Sequence, residues 1–416
     1  MPSIERRTFL GTVAAGVVAG LGGCSSSCPD SDPPEPATTL GTGEADRGFD
    51  TLPGGSWPTP RFDTANTGFA PSRRPPTTAP ALRWRTTLPA PPVDDATTDV
   101  SPPTVAGDRV FVTTGEGAFG LSLREGRERW RYGDLSPATV DSAGSYGRSL
   151  APPVLNGDTA YVPAADGVVA LRVDDGTERW RTTDVTPTGT PVVADGVVFV
   201  PTGDELVALD VAAGRRRWAA ATSGGSLPAV TGGVVVVAGE ELLGLDAATG
   251  DRLWSSSVGP ESHPVVADGT VHLGTYEGVV GVDLDDGTER WTVDRGGGRT
   301  YSTPVVTPET VYAVERPGEA GDATFALDRT EGSPDPRWCS YVGEGAVTAA
   351  ASGHAFALQS GPGEDRKPPR LLAFTERFGE AAWGYRSAEP LVSPALLDGG
   401  VVTATRRGTV VAVGGE

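Results

Sequence analysis

Residues 191–218 read PVVADGVVFVPTGDELVALDVAAGRRRW, and this stretch predicts four short β-strands. Runs of β-branched and apolar residues alternate with turns that contain glycine. Asp195-Gly196 suits a tight hairpin, because glycine accepts the positive φ that such turns require. Gly203-Asp204 and Gly214 mark the next two connections. The stretch therefore predicts one four-stranded antiparallel unit that ends at a tryptophan.

The same pattern recurs along the chain, and such recurrence is the signature of a repeat architecture. Two of the copies are longer, with their extra residues at 315–322 and 360–370, where a loop between the second and third strands is expected. Eight units without helical periodicity predict an all-β fold, an eight-bladed β-propeller of four-stranded blades. The copies open at Pro103, Pro153, Pro191, Pro228, Pro264, Pro304, Thr348 and Pro394.

The two ends of the chain predict how the ring closes. The eighth copy stops at Glu416 after its third strand, so its fourth strand is missing. Residues 81–85 form an orphan strand with its own tryptophan, Trp84. We expect this N-terminal strand to complete the last blade, because closure leaves no free sheet edge within the ring.

Six tryptophans follow one spacing, in which a small residue is followed by glycine six positions later and by tryptophan four positions after that, as in Ala208, Gly214 and Trp218. The copy that ends at Trp338 is stretched by two residues. This spacing resembles the tryptophan-docking motif of the pyrroloquinoline-quinone (PQQ) repeat family, which includes quinoprotein alcohol dehydrogenases and the outer-membrane β-barrel assembly lipoprotein. Residues 57–69 resemble a segment that precedes the first blade in that family. The resemblance implies a propeller over residues 57–416 and a structural role between blades for Trp84, Trp130, Trp180, Trp218, Trp254, Trp291, Trp338 and Trp383.

The first residues are interpreted as a targeting signal. Arg6-Arg7 resembles a twin-arginine export signal, and residues 21–24 resemble a lipobox ending at Cys24. These signals predict removal of residues 1–23 and a lipid on Cys24, although an uncleaved signal anchor is the alternative. Residues 24–56 are predicted to be an acidic, disordered tether. The expected location is the cell membrane, lipid-anchored on its extracytoplasmic face.

Composition narrows the possible partners. The net charge is −20, and Lys367 is the only lysine among 34 basic residues. This balance argues against nucleic-acid binding, which needs clustered basic residues. Acid excess with few lysines is typical of extreme halophiles and suggests a haloarchaeal lipoprotein; GC-rich codon usage is the alternative explanation.

Function is expected at the mouth of the ring, where loops enter the innermost strands. The first interpretation is a noncatalytic, monomeric scaffold that binds an extracytoplasmic protein or peptide. Such a scaffold needs no catalytic residue, metal or cofactor. The alternative is an alcohol or sugar dehydrogenase that uses PQQ with Ca²⁺. Against it, the chain lacks the adjacent cysteine pair of the family's dehydrogenases, and its three histidines fall in different copies. Candidate mouth residues, for which ordinary solvated loop positions are the alternative interpretation, are Arg148, His263, Tyr276, Arg299, Tyr301 and Arg407.

Overall fold

A computed structural model describes most of the repeat region. The predicted export signal at Arg6 and Arg7, the lipid-attachment residue Cys24 and the mouth candidate Arg299 lie outside the described residues. Within the described part, no helix is long and apolar enough to cross a membrane. The described residues are 36, 38–41, 48–78, 80–91, 97–141, 148–225, 227–294, 300–316, 323–329, 335–341, 344–360, 368–376 and 379–415.

Eight antiparallel sheets form the ring, one per predicted copy, and this confirms the eight-bladed propeller. The strands of blades 1 to 4 are Thr104–Ala106, Arg109–Thr114, Gly117–Ser122 and Glu128–Tyr132; Val154–Asn156, Thr159–Ala164, Gly167–Arg172 and Glu178–Thr182; Val192–Ala194, Val197–Pro201, Glu205–Asp210 and Arg216–Ala221; Ala229–Thr231, Val234–Ala238, Leu242–Asp246 and Arg252–Ser256. The strands of blades 5 to 8 are Val265–Ala267, Thr270–Gly274, Gly278–Asp283 and Glu289–Asp294; Val305–Val306, Thr310–Arg316, Ala323–Asp328 and Asp335–Tyr341; Glu344–Ala351, His354–Ser360, Arg370–Thr375 and Ala381–Arg386; Ala395–Leu397, Gly400–Ala404, Thr409–Gly414 and Ala81–Thr87.

Smaller elements complete the strand set. Thr300–Tyr301 pairs beside the second strand of blade 6. A three-stranded sheet is built from the loops that lead into blades 1 and 2. The strands of that sheet are Thr97–Thr98, Thr139–Asp141 and Arg148–Leu150.

The N-terminal strand closes the ring as predicted. Ala81–Thr87 pairs antiparallel with Thr409–Gly414, and Trp84 lies opposite Ala412. The predicted extra lengths also fall between the second and third strands of blades 6 and 7, since the second strands end at Arg316 and Ser360. The repeat period, together with the match between the orphan N-terminal strand and the missing strand of the eighth copy, is therefore sufficient to predict this topology.

The tryptophans pack between blades. Trp130 lies over Gly176 of blade 2, where a Cβ would sit only 2.6 Å from the indole Cε3. The indole N–H of Trp130 donates to the carbonyl of Val173 at 3.0 Å. Trp84, Trp180, Trp218 and Trp254 bond in the same way to the neighbouring blade. The glycine spacing thus leaves room for a ring that joins each of these blades to the next, whereas the Trp338 side chain lies outside the described residues.

Strand direction gives the ring two different faces. The loops that enter the innermost strands and the hairpins between second and third strands lie on one face, which we call the open face. The hairpins between first and second strands lie on the opposite face. We call it the plugged face, because residues 54–70 pack there against the innermost strands.

Part of the predicted tether is packed on the propeller. Thr38–Leu40 pairs parallel with the outermost strand of blade 7. Gly48 donates its N–H to the carbonyl of Arg83, and Gly54 bridges to Asp398 of blade 8. These residues are held on the ring by backbone pairing, and residues 24–35, 37 and 42–47 of the predicted tether lie outside the described residues.

Candidate functional site

A segment before the first blade, residues 54–70, fills the plugged end of the central channel; we call it the axial segment. It follows the inner strands around the ring and bonds to seven of the eight blades. Its backbone hydrogen bonds join it to Asp398, Val105, Leu155, Val230, Val266, Val306 and Ala350, in blades 8, 1, 2, 4, 5, 6 and 7. One end of the channel is therefore closed by the chain itself.

Two side chains of the axial segment reach the carbonyl groups at the starts of the innermost strands. The Asn66 amide donates from Nδ2 to the carbonyls of Pro228, at 2.9 Å, and Pro264, at 3.1 Å. Arg61 donates from Nε to the Asn66 carbonyl at 3.2 Å and from Nη2 to the carbonyl of Pro304. Both side chains are buried, so these bonds satisfy donors that water cannot reach.

The axial segment carries two opposite charges, the buried Arg61 and the partly buried Asp63. Burial lowers the pKa of Arg61 to about 10, and the nearby Asp63 carboxylate opposes that shift. Burial raises the pKa of Asp63 above its ordinary value, although its carboxylate accepts bonds from the Thr67 N–H at 2.9 Å and the Thr67 hydroxyl at 2.6 Å. The base of the channel therefore holds a guanidinium whose main donors are already engaged.

His263 lies two residues before the innermost strand of blade 5, Val265–Ala267. Burial, and then the charge of Arg61, lowers the pKa of His263 to about 3. The residue is partly exposed, and its backbone N–H donates to Thr303 Oγ1 at 3.1 Å. At neutral pH it presents an uncharged imidazole.

The remaining mouth candidates do not come together. Tyr301 is only 2% exposed and packs with Val265, Val279 and Trp291 in the core between blades. Tyr276 and Arg407 are exposed, but they lie on the hairpins of blades 5 and 8. Arg148 pairs with Thr97 in the small sheet, and its side chain lies outside the described residues.

The open face shows a pattern that sequence reasoning only partly found. In blades 1 to 5 the hairpins between second and third strands contain only two or three residues. Each of these hairpins presents an exposed carboxylate, and Tyr276, 56% exposed, stands in the hairpin of blade 5. We call these carboxylates the acidic arc, in which Glu116 forms an ion pair with Arg131: Glu116, Asp166, Asp204, Glu240 and Glu277.

Metal-binding chemistry is not assembled in the part of the chain that the structure describes, where no three His, Cys, Asp or Glu side chains form a group able to hold an ion. The Asp283 carboxylate caps a turn by accepting the Asp285 N–H at 2.8 Å and pairs with Arg290. A cavity of about 790 Å³ lies on the plugged face between Arg74 and Ser352, away from the mouth candidates.

Comparison with known proteins agrees with this geometry. The family model of the outer membrane protein assembly factor BamB matches residues 78–190 and 165–385. The chain belongs to this family. No curated protein matches the sequence.

Several solved structures share the fold. The crystal structure of BamB from Moraxella catarrhalis is similar, with a TM-score of 0.60 and 14% identity over 82% of this chain and 98% of that chain. Quinohemoprotein alcohol dehydrogenase ADHIIG from Pseudomonas putida HK5 gives a TM-score of 0.64 and 13% identity over 89% of this chain and 83% of that chain. Its counterpart from Comamonas testosteroni gives 0.64 and 15% over 86% and 80%. At such identities the likeness shows the fold alone.

Proposed function

We propose that this protein is a noncatalytic, protein-binding scaffold whose open face holds an extracytoplasmic protein or peptide. The observation that carries the proposal is the shape and charge of that face. Five neighbouring blades end in short hairpins, so the surface there is shallow, whereas small-molecule sites are concave. The acidic arc and the exposed Tyr276 favour a partner whose surface is basic around an apolar contact.

The proposed cellular location is based on the sequence. A lipid on Cys24, after export through the signal at Arg6 and Arg7, would hold the ring as a monomer at the extracytoplasmic face of the membrane. Membership in the BamB family supports a scaffold role, because the family's name describes a protein assembly factor. The acid excess supports an extremely halophilic, haloarchaeal source.

The test uses charge reversal on each face. In the open-face variant, Asp166, Asp204 and Glu240 are changed to Lys. In the matched control, Asp108, Glu125 and Asp174 on the plugged face are changed to Lys.

Each tagged chain is cross-linked in native membranes in molar salt, and the recovered proteins are quantified by mass spectrometry. The proposal predicts one or more proteins that the wild type and the control recover and that the open-face variant loses. Recovery of nothing above background, or equal recovery by both variants, would contradict it.

The second candidate is a PQQ-dependent alcohol or sugar dehydrogenase, which is favoured by the likeness to two quinohemoprotein dehydrogenases. PQQ is a planar tricarboxylate held beside Ca²⁺. The described channel does not fit it well, because Arg61 already donates to backbone carbonyls and His263 is uncharged. Titration with PQQ, with and without Ca²⁺, should give no saturable binding and no dye reduction on addition of alcohol or sugar.

A further inference from the structure

The outermost strands of the blades differ in how their free edges are protected. A free edge presents unpaired N–H and C=O groups that can pair with another chain, and charged side chains discourage such pairing. Blade 4 instead has Leu253 before its tryptophan, and blade 7 has Ala382. In the other six blades, the residue immediately before the docking tryptophan is an arginine: Arg83, Arg129, Arg179, Arg217, Arg290 and Arg337. Arg83 of blade 8 is buried and its carbonyl accepts the Gly48 N–H, whereas the described side chains of Arg129, Arg179, Arg217 and Arg290 are exposed.

The outermost strand of blade 7 binds an extended segment of this same chain. Thr38–Leu40 lies parallel to the outermost strand and pairs with residues 383–385. Pro36 lies 3.2 Å from the point where a Cβ would sit on Gly384, and Leu40 packs against the largest core cluster. Blade 7 therefore shows that an outermost strand of this propeller accepts a fifth, parallel strand.

Blade 4 has an edge of the same kind that no described residue covers. Leu253 is 51% exposed, and Ser255 on the same side of the strand is exposed as well. Among the described residues, none pairs with the outer side of Arg252–Ser256. The positions that correspond to the covered residues of blade 7 are 254–256. Arg252 begins this strand, and the exposed Leu253 follows it at the position that arginine occupies in six other blades.

Acidic side chains border this edge. Asp251 is exposed at the start of the strand. Asp285 and Asp286 are exposed in the turn of blade 5 that packs on Trp254, whose indole N–H donates to the Leu284 carbonyl at 2.7 Å. These three carboxylates outnumber Arg252, the one basic residue of the strand, and favour basic residues in a bound segment. A second copy of this chain is a poor occupant, because each copy carries a net charge of −20.

We propose that the outermost strand of blade 4 is a docking site for an extended segment of another protein. The segment adds as a parallel fifth strand, with an apolar side chain against Leu253 and basic side chains toward the bordering acids. Main-chain hydrogen bonds supply affinity in this mode, and side chains supply specificity. The inference rests on the proposed scaffold function, to which it adds a second surface and a partner chemistry.

The probe is a fluorescent peptide, KKPLTTLKK, which repeats the Thr-Thr-Leu that docks on blade 7 and places leucine before it to face Leu253. Binding to the full-length chain is measured by fluorescence anisotropy. Amide hydrogen exchange locates the bound peptide. We expect saturable binding and added protection within Arg252–Ser256, with at least tenfold weaker binding of the acidic analogue EEPLTTLEE.

Two variants each add a second arginine to the blade 4 edge, which already carries Arg252, and one control adds the same charge elsewhere. Leu253→Arg and Ser255→Arg should each weaken binding at least tenfold. Thr292→Arg, at the exposed edge of blade 5, should leave it within twofold. The altered side chains are exposed, so the melting temperature of each variant should match the wild type.

Protection at Ala381–Arg386 instead of blade 4, or unchanged binding after Leu253→Arg, would overturn the proposal. If sedimentation shows a dimer that Leu253→Arg abolishes, the edge binds a second copy of this chain, and that result would also contradict the proposal. The outcome is separable from that of the scaffold test. Partner recovery that depends only on the open face would leave the scaffold function standing while removing the blade 4 site.

Discussion

Replacement of Asn66 tests whether the axial segment holds the ring together. This one side chain bonds to carbonyls at the starts of blades 4 and 5, and its own backbone carbonyl accepts the Arg61 guanidinium. Asn66 also has a φ of 60°, a left-handed conformation that asparagine tolerates better than other non-glycine residues. Asn66→Ala should therefore remove two buried hydrogen bonds and add backbone strain.

The expected cost can be built from these parts. Each lost hydrogen bond costs about 1 kcal/mol net, and more where a carbonyl is left buried without a partner. Alanine in a left-handed conformation costs about 1 kcal/mol. The sum is roughly 3–5 kcal/mol of unfolding free energy, which is large for one exchange of small side chains.

The control separates strain from hydrogen bonding. Asp195 has a φ of 47° in an exposed hairpin, so Asp195→Ala should cost only about 1 kcal/mol from strain. Both variants are unfolded with urea in molar KCl and followed by tryptophan fluorescence and circular dichroism. If Asn66→Ala is no less stable than Asp195→Ala, the axial segment does not contribute as described.

Three further predictions concern acid stability, blade packing and salt. His272 is 2% exposed, its ring centroid lies 5.5 Å from that of Trp291, and burial lowers its pKa to about 3. The free energy of unfolding should therefore fall as pH drops from about 6.5 toward 3. His272→Phe should remove roughly 2–3 kcal/mol of that loss at pH 4.5, as measured by urea unfolding, and an unchanged pH profile would contradict this. Gly287→Ala places a Cβ 2.6 Å from Trp254 and should lower the free energy of unfolding by roughly 2–4 kcal/mol. In the control, Gly107→Ala, the new Cβ has no atom within 4 Å, so only the strain of its positive φ is expected, about 1 kcal/mol. Equal free energies of unfolding for the two variants would refute the packing argument. The net charge of −20 predicts loss of structure at low salt, and a circular dichroism spectrum that is unchanged between about 3 M and 0.05 M KCl would reject halophilic adaptation.

The propeller could be read from the sequence because its signals are local. Each turn glycine and tryptophan repeats at a fixed distance, and the unpaired strand around Trp84 matches the missing strand of blade 8. The role of the axial segment could not be read in this way. Asn66 bonds to carbonyls 162 and 198 residues away, and nothing in the spacing of residues 57–69 indicates those partners.

The candidate mouth shows the same limit. Tyr301 and Tyr276 both fall in loop-like positions in the sequence, yet Tyr301 is buried between blades while Tyr276 is exposed. The difference arises from packing, since Tyr301 lies against the backbone of Gly274, where a Cβ would be only 2.5 Å from the Tyr301 carbonyl. Leu253 also escapes sequence reasoning, because its exposure becomes visible only when the outermost strands of all blades are compared.

Site-specific photocross-linking from the open face is the most direct test of the scaffold function. A photoreactive amino acid replaces Tyr276 on the open face or, as the control, Ser352 on the plugged face. We predict a discrete cross-linked protein in native membranes from position 276 and none from position 352. Cross-links from neither position, or equally from both, would contradict a protein-binding open face.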